Sequence, residues 1–130
     1  ILGAVAHEYI PIAADNNIEL TVIDVQFARA LRKFKGKPLK VHLKVDTGMN
    51  RMGCKVAEFE KVFFAANKSK YIILEAVYSH LACANNKNSV NNKNQILISS
   101  GVKLSKIKGT INSEYRTFVL LKSQADDIVE

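Results

Sequence analysis

The chain of 130 residues is 48% hydrophobic and 24% charged, the balance of one compact domain and too short for two. Its net charge of +7 is uneven: between Asn85 and Lys122 seven basic residues stand against one acid, Glu114, and the remainder is close to neutral. Composition excludes a collagen-like chain, a disulfide scaffold and a helical membrane span, because no run of about 18 apolar residues occurs. Cys54 and Cys83 have no CxxC partner and no His at zinc spacing, so they read as reduced thiols.

In chain order, Ile1–Val5 is short and apolar and suits a buried strand. It has no basic flank of a signal peptide, and with no starting Met the chain is expected to be a piece of something longer. Pro11 opens a short helix to Asn16, with proline tolerated in the first turn. Glu19–Ile23 is rich in β-formers, and Asp24 is placed to cap a helix from Val25 to Lys35, ended by Gly36. Val25, Phe27, Ala28, Leu31 and Phe34 give that helix one apolar face.

Leu39–Val45 alternates apolar and polar residues, the period of a strand. Val56–Ala66 predicts a second amphipathic helix and Tyr71–Ser79 the next strand. Strands separated by helices give a β-α-β-α-β-α-β order, which means a parallel sheet with crossover helices. Both an eight-fold (β/α)8 TIM-type barrel and an open doubly wound sheet fit that order. Beyond His80 the pattern weakens. Asn85–Asn94 holds six asparagines and reads as a loop, Gln95–Ile107 has weak helical spacing broken by Gly101, Tyr115–Leu121 suits a strand, and Gln124–Glu130 is a polar end.

In parallel α/β architectures reactive groups collect at the carboxyl ends of strands. Two such ends stand out. Lys44, Asp46 and Arg51 fall within eight residues on one strand end and the loop after it, with Gly48 and Gly53 allowing tight turns. His80 follows Tyr78 and Ser79 at the end of the next long strand. The residues alone leave two alternatives open: Lys44 and Arg51 as surface charges with Asp46 as an ion-pair partner, and His80 as a satisfied core histidine.

The run VHLKVDTGMNRMG (Val41–Gly53) resembles the signature of the alanine racemases. ILGAV (Ile1–Val5), ELTVID (Glu19–Asp24), KPLKVHLK (Lys37–Lys44) and SHLA (Ser79–Ala82) follow in matching order, so the likeness covers about residues 1–84. It implies a pyridoxal 5'-phosphate enzyme with an eight-stranded barrel and a carboxy-terminal β domain. The activity so implied is interconversion of L- and D-alanine for peptidoglycan, by a cytoplasmic homodimer acting on a small amino-acid substrate without membrane or nucleic-acid partners. Residues 1–84 would be central β/α units of the barrel, 85–94 an Asn-rich loop, and 95–130 a stretch of unassigned fold that would suit a diverged continuation.

Residue by residue, Lys44 matches the lysine carbamylated in many family members, its new negative charge pairing with the arginine at Arg51. Arg51 matches the arginine beside the cofactor's phenolic oxygen and the substrate carboxylate, a job suited to a planar guanidinium fork. His80 matches the histidine near the cofactor ring. Asn112 and Ser113 resemble an Asn-Ser pair near the cofactor phosphate, although their flanks differ. Asn50 stands where many relatives have glycine. The Schiff-base lysine of a KANAYGHG-like motif, the opposing tyrosine and an RPG segment have no match, so the chain alone is expected to be inactive.

Other readings are kept open. Related pyridoxal-phosphate enzymes of the D-threonine aldolase or D-serine dehydratase type carry similar DxGxxRxG loops, although Lys44 and the TGM run favour alanine racemase. A non-catalytic remnant or a basic binding module would use the Asn- and Lys-rich tail, but no RNA-binding or helix-turn-helix signature supports it.

Overall fold

The computed structural model describes residues 1–83, 90, 91, 95, 108–112 and 117–121. After a 3-10 turn at His7–Tyr9, the elements are α1 (Ile10–Asp15), β1 (Leu20–Val22), α2 (Val25–Lys33), β2 (Leu39–Asp46), β3 (Cys54–Lys55), a second 3-10 turn (Val56–Glu58), α3 (Phe59–Ala66), β4 (Ile72–His80), β5 (Lys108–Asn112) and β6 (Thr117–Leu121). Among the described residues no helix is long and apolar enough to cross a membrane.

Local chemistry explains the boundaries. Asp24 sits in extended backbone and its carboxylate accepts the N–H of Phe27 at 2.7 Å, meeting one of the orphan donors that open α2. Arg32 and Lys33 lie in the last turn, where the helix dipole favours cations. The helix stops at Lys33, two residues short of the expected Lys35, because Phe34 turns to extended backbone and lays its ring over Gly36.

β1, β2 and β4 pair in parallel, with Leu20 beside Val41 and Leu39 beside Ile72. Leu39, Val41, Leu43 and Val45 of β2 join Leu20, Val22, Leu74 and Val77 in one core. Onto it pack Ile10 and Ala14 of α1, Phe27, Ala28 and Leu31 of α2, and Phe59, Val62 and Ala66 of α3. All three helices therefore cover one face of the sheet. A doubly wound sheet carries helices on both faces, so this arrangement is a segment of a barrel, with helices outside.

The other face is polar. Lys40 bonds Glu75 at 3.2 Å and His42 bonds Glu19 at 2.5 Å, while Thr21 Oγ1 meets the Tyr78 hydroxyl at 2.9 Å. The β2–β4 register slips once, between Val41 and His42, so that His42 opposes Ala76 and Lys44 opposes Tyr78. The slip brings Lys44 and Tyr78 onto the same side.

Two expectations change. Ile1–Val5 forms no strand: Ile1 and Leu2 are 57% and 74% exposed, and their carbonyls are taken by the side-chain hydroxyls of Thr21 and Tyr78 instead of a backbone ladder. The sheet is not parallel throughout, since β6 runs antiparallel to both β4 and β5, giving the order β1-β2-β4-β6-β5. Only residues 113–116 link β5 to β6, too few for the dozen or so that a crossover between parallel strands needs. Apart from residues 90, 91 and 95, the expected loop at 85–94 and helix at 95–107 lie outside the described residues, as does the tail 124–130.

Candidate active site

β2 and β4 run parallel, so their carboxyl ends open onto the same end of the sheet. Lys44 lies in the last turn of the pleat of β2, 5% exposed, with Nζ 5.9 Å from the centre of the Tyr78 ring. Its amine is held below the ordinary lysine range, first by burial and then by the nearby charge of Arg51, with Asp46 opposing. Burial likewise pushes the Tyr78 phenol up.

Asp46 forms no ion pair with either cation. Its Oδ1 accepts the backbone N–H groups of Gly48 and Asn50, both at 3.0 Å, closing a turn of its own loop. Among the described residues no carboxylate forms an ion pair with Lys44 or with the exposed Arg51. The surface-pair alternative for Arg51 and Asp46 therefore does not hold: among the described residues neither Lys44 nor Arg51 has an ion-pair partner, and at Lys44 the charge of Asp46 offsets that of Arg51 only in part.

The loop's path depends on positive-φ backbone. Asn50 has φ of 55°, a left-handed conformation that asparagine tolerates better than most residues and that explains its place in a glycine-like position. Gly53 has φ of 124°, and a Cβ there would come within 2.9 Å of the Asp46 nitrogen and 3.0 Å of the Lys44 carbonyl. That close return lets Cys54 and Lys55 pair with Val45 and Asp46 as β3. Cys54 is buried there and its thiol is pushed up to about 12, which keeps it protonated and inert.

His80 closes β4 two residues past Tyr78, so alternation puts it on the side of Lys44. Around it lies a buried polar network that the sequence reading missed. Thr47 Oγ1 and Ser79 Oγ are 2.7 Å apart, and Gln95 reaches Thr47, the His80 carbonyl and the Ala82 N–H. Nothing in the sequence marks Gln95, a lone amide after an asparagine-rich run. Asn112 ends β5 and pairs with Thr117, which pairs in turn with His80, so the Asn112 backbone shares the same row across the sheet. Ser113 lies outside the described residues. The described residues hold no group of three His, Cys, Asp or Glu fit for a metal ion.

The structure thus places Lys44 and His80 near the ends of neighbouring strands, with the guanidinium of Arg51 close enough to act on the Lys44 amine; a guanidinium suits planar anionic oxygens. Comparison with known proteins agrees with the likeness of Val41–Gly53. Residues 1–117 match the family model described as "Alanine racemase, N-terminal domain". The chain is 37% identical over 98 residues to an alanine racemase of Francisella philomiragia, covering 73% of this chain and 27% of that protein. It is 38% identical over 91 residues to one of Anoxybacillus flavithermus, covering 68% and 24%. Among solved structures, an alanine racemase from E. faecalis superposes with a TM-score of 0.71 at 27% identity, covering 78% of this chain and 29% of that one. A histidine racemase from Leuconostoc mesenteroides gives 0.72 at 27%, covering 79% and 29%. The chain spans about a quarter of the length of the curated relatives it matches. With its fold a portion of a (β/α)8 barrel, the chain belongs to the alanine racemase N-terminal domain family.

Proposed function

We propose that this chain supplies part of the active site of a pyridoxal-phosphate-dependent racemase interconverting L- and D-alanine for peptidoglycan. The observation that supports the reading is the pair of cations, Lys44 and Arg51, near the strand end of His80, neither of them in an ion pair with a carboxylate among the described residues. Pyridoxal phosphate, when bound, supplies an electron sink that acidifies the substrate Cα–H.

The roles follow from the side chains. Arg51 would donate paired hydrogen bonds to the cofactor's phenolic oxygen and to the substrate carboxylate. Lys44, with its amine held toward the neutral form, adds CO2 and loses one proton to water, leaving a carbamate whose negative charge pairs with Arg51. His80 would lie beside the cofactor ring and help to orient it, and by the resemblance the Asn112–Ser113 pair would serve the cofactor phosphate. A KANAYGHG-like motif with its Schiff-base lysine and a match to the opposing tyrosine do not occur in this sequence; in this proposal the chain is inactive alone and the working unit is a cytoplasmic homodimer.

The fit to the cofactor is partial: an arginine fork, a histidine and a buried lysine suit its planar anionic oxygens, whereas no residue here is assigned to hold its aldehyde carbon. The test is chiral product analysis with a complete subunit that contains this stretch. Racemisation of alanine supports the reading. Cleavage of D-threonine or deamination of D-serine replaces it with the aldolase or dehydratase type, and preference for histidine redirects the substrate within the racemases.

A further inference from the structure

Gln95 is 3% exposed and sits between the two strand ends that carry the candidate site. A glutamine amide has two N–H donors and a carbonyl acceptor. Nε2 donates to Thr47 Oγ1 at 3.2 Å and to the His80 carbonyl at 3.0 Å, and Oε1 accepts the Ala82 N–H at 2.9 Å. The orientation is dictated by these partners, since a flipped amide would set two donors face to face at Ala82 and two acceptors face to face at His80. Its Cγ packs against Gly48, where an added Cβ would come within 3.2 Å. Thr47 in turn bonds Ser79 at 2.7 Å.

We infer that Gln95 is a positioning residue that clamps the loop carrying Arg51 to the strand end carrying His80; its importance for catalysis rests on the racemase reading above. One side chain grips the residue before Gly48, the backbone of His80 itself, and the turn after it. The chain separation is large, 48 residues to Thr47 and 15 to His80, so no local bond can replace this link. Aspartate or glutamate could not replace it either, because a carboxylate has no hydrogen to give the His80 carbonyl.

Amide hydrogen exchange on the full 130-residue chain tests the clamp. In Gln95→Ala the Ala82 amide exchanges about tenfold faster, having lost its acceptor. The Gly48 and Asn50 amides quicken roughly threefold as Thr47 loosens, while β2 and β4 ladder amides keep their rates. Gln95→Glu keeps the acceptor, so Ala82 stays protected while Gly48 and Asn50 still quicken; this variant decides the matter if Gln95→Ala does not fold. Equal acceleration at every amide would reduce Gln95 to an ordinary stabilising contact and overturn the clamp. Unchanged exchange at Gly48 and Asn50 in both variants would overturn it as well.

The same substitutions in a complete subunit separate this inference from the racemase reading. The clamp predicts a fall in kcat of about tenfold with KM nearly unchanged in Gln95→Ala. If the exchange pattern appears while Arg51→Ala keeps full activity, the clamp stands and the racemase reading fails. If Arg51→Ala is inactive but the exchange pattern is absent, the clamp fails and the racemase reading stands.

Discussion

Thr47, on the loop after β2, and Ser79, one residue from the end of β4, share a buried hydrogen bond of 2.7 Å between their hydroxyls. Neither residue has chemistry of its own to perform, yet the bond ties together the two strands whose ends carry Lys44, Arg51 and His80. Removing the Ser79 hydroxyl strands one donor while Thr47 keeps Gln95. Ser79→Ala is therefore expected to cost about 1–2 kcal/mol of stability. Thr47→Val leaves both Ser79 and a Gln95 donor without a partner, and its cost rises to about 2–3 kcal/mol. Urea unfolding of the chain measures both, and equal midpoints for the two variants would argue against a shared network.

Gly53 bears on the site through sterics. A side chain there meets the Asp46 nitrogen and the Lys44 carbonyl, which are backbone atoms that cannot swing aside, and its φ of 124° strains any other residue. Gly53→Ala is expected to lose about 2–4 kcal/mol and to displace β3 from β2. Gly3 offers the contrast, having nothing within 4 Å of an added Cβ. Gly3→Ala should unfold at the wild-type midpoint, and a matching loss in both variants would show that the close return of the loop is not the cause.

Lys44 makes stability depend on pH in a defined direction. Burial and Arg51 depress its pKa in the folded chain, so between that lowered value and about 10.4 the unfolded chain binds more protons than the folded one. Stability contributed by this group therefore rises with pH through that window and is smallest below it. Lys44→Met removes the rise and stabilises the chain at pH 7. The difference between the two denaturation curves across pH isolates Lys44 from the other groups of the chain. Carbon-13 bicarbonate adds a second readout, since the proposed carbamate gives one labelled signal that Lys44→Met abolishes.

Much of the fold was legible because short-range patterns wrote it. The alternation of Leu39–Val45 and the spacing of Phe27, Ala28 and Leu31 mark which faces are buried, and Asp24 marks where α2 begins. That Lys44 and His80 fall near the ends of neighbouring parallel strands, with Arg51 on the loop after the first, was legible from the strand patterns of Leu39–Val45 and Tyr71–Ser79; their proposed roles rest on the family likeness. What the sequence hid depends on distant partners. Ile1–Val5 has strand composition but finds hydroxyls where a ladder would be, and β3 has two residues and no pattern of its own. Gln95 carries no local signal because its meaning lies 48 residues away at Thr47. Of the antiparallel β5–β6 pair, β6 lies within Tyr115–Leu121, which reads as a strand, whereas Lys108–Asn112 carries no pattern that marks β5.

In the proposed function the guanidinium of Arg51, which has no ion pair among the described residues, binds the reacting groups of an amino-acid racemase. The most direct measurement is the steady-state kinetics of alanine racemisation by a complete subunit containing this stretch, compared with its Arg51→Ala and Arg51→Lys forms. The account predicts a loss in kcat/KM of about 100-fold or more for Arg51→Ala and a smaller loss for Arg51→Lys, which keeps the charge but not the paired donors. Wild-type kcat/KM in Arg51→Ala would contradict it.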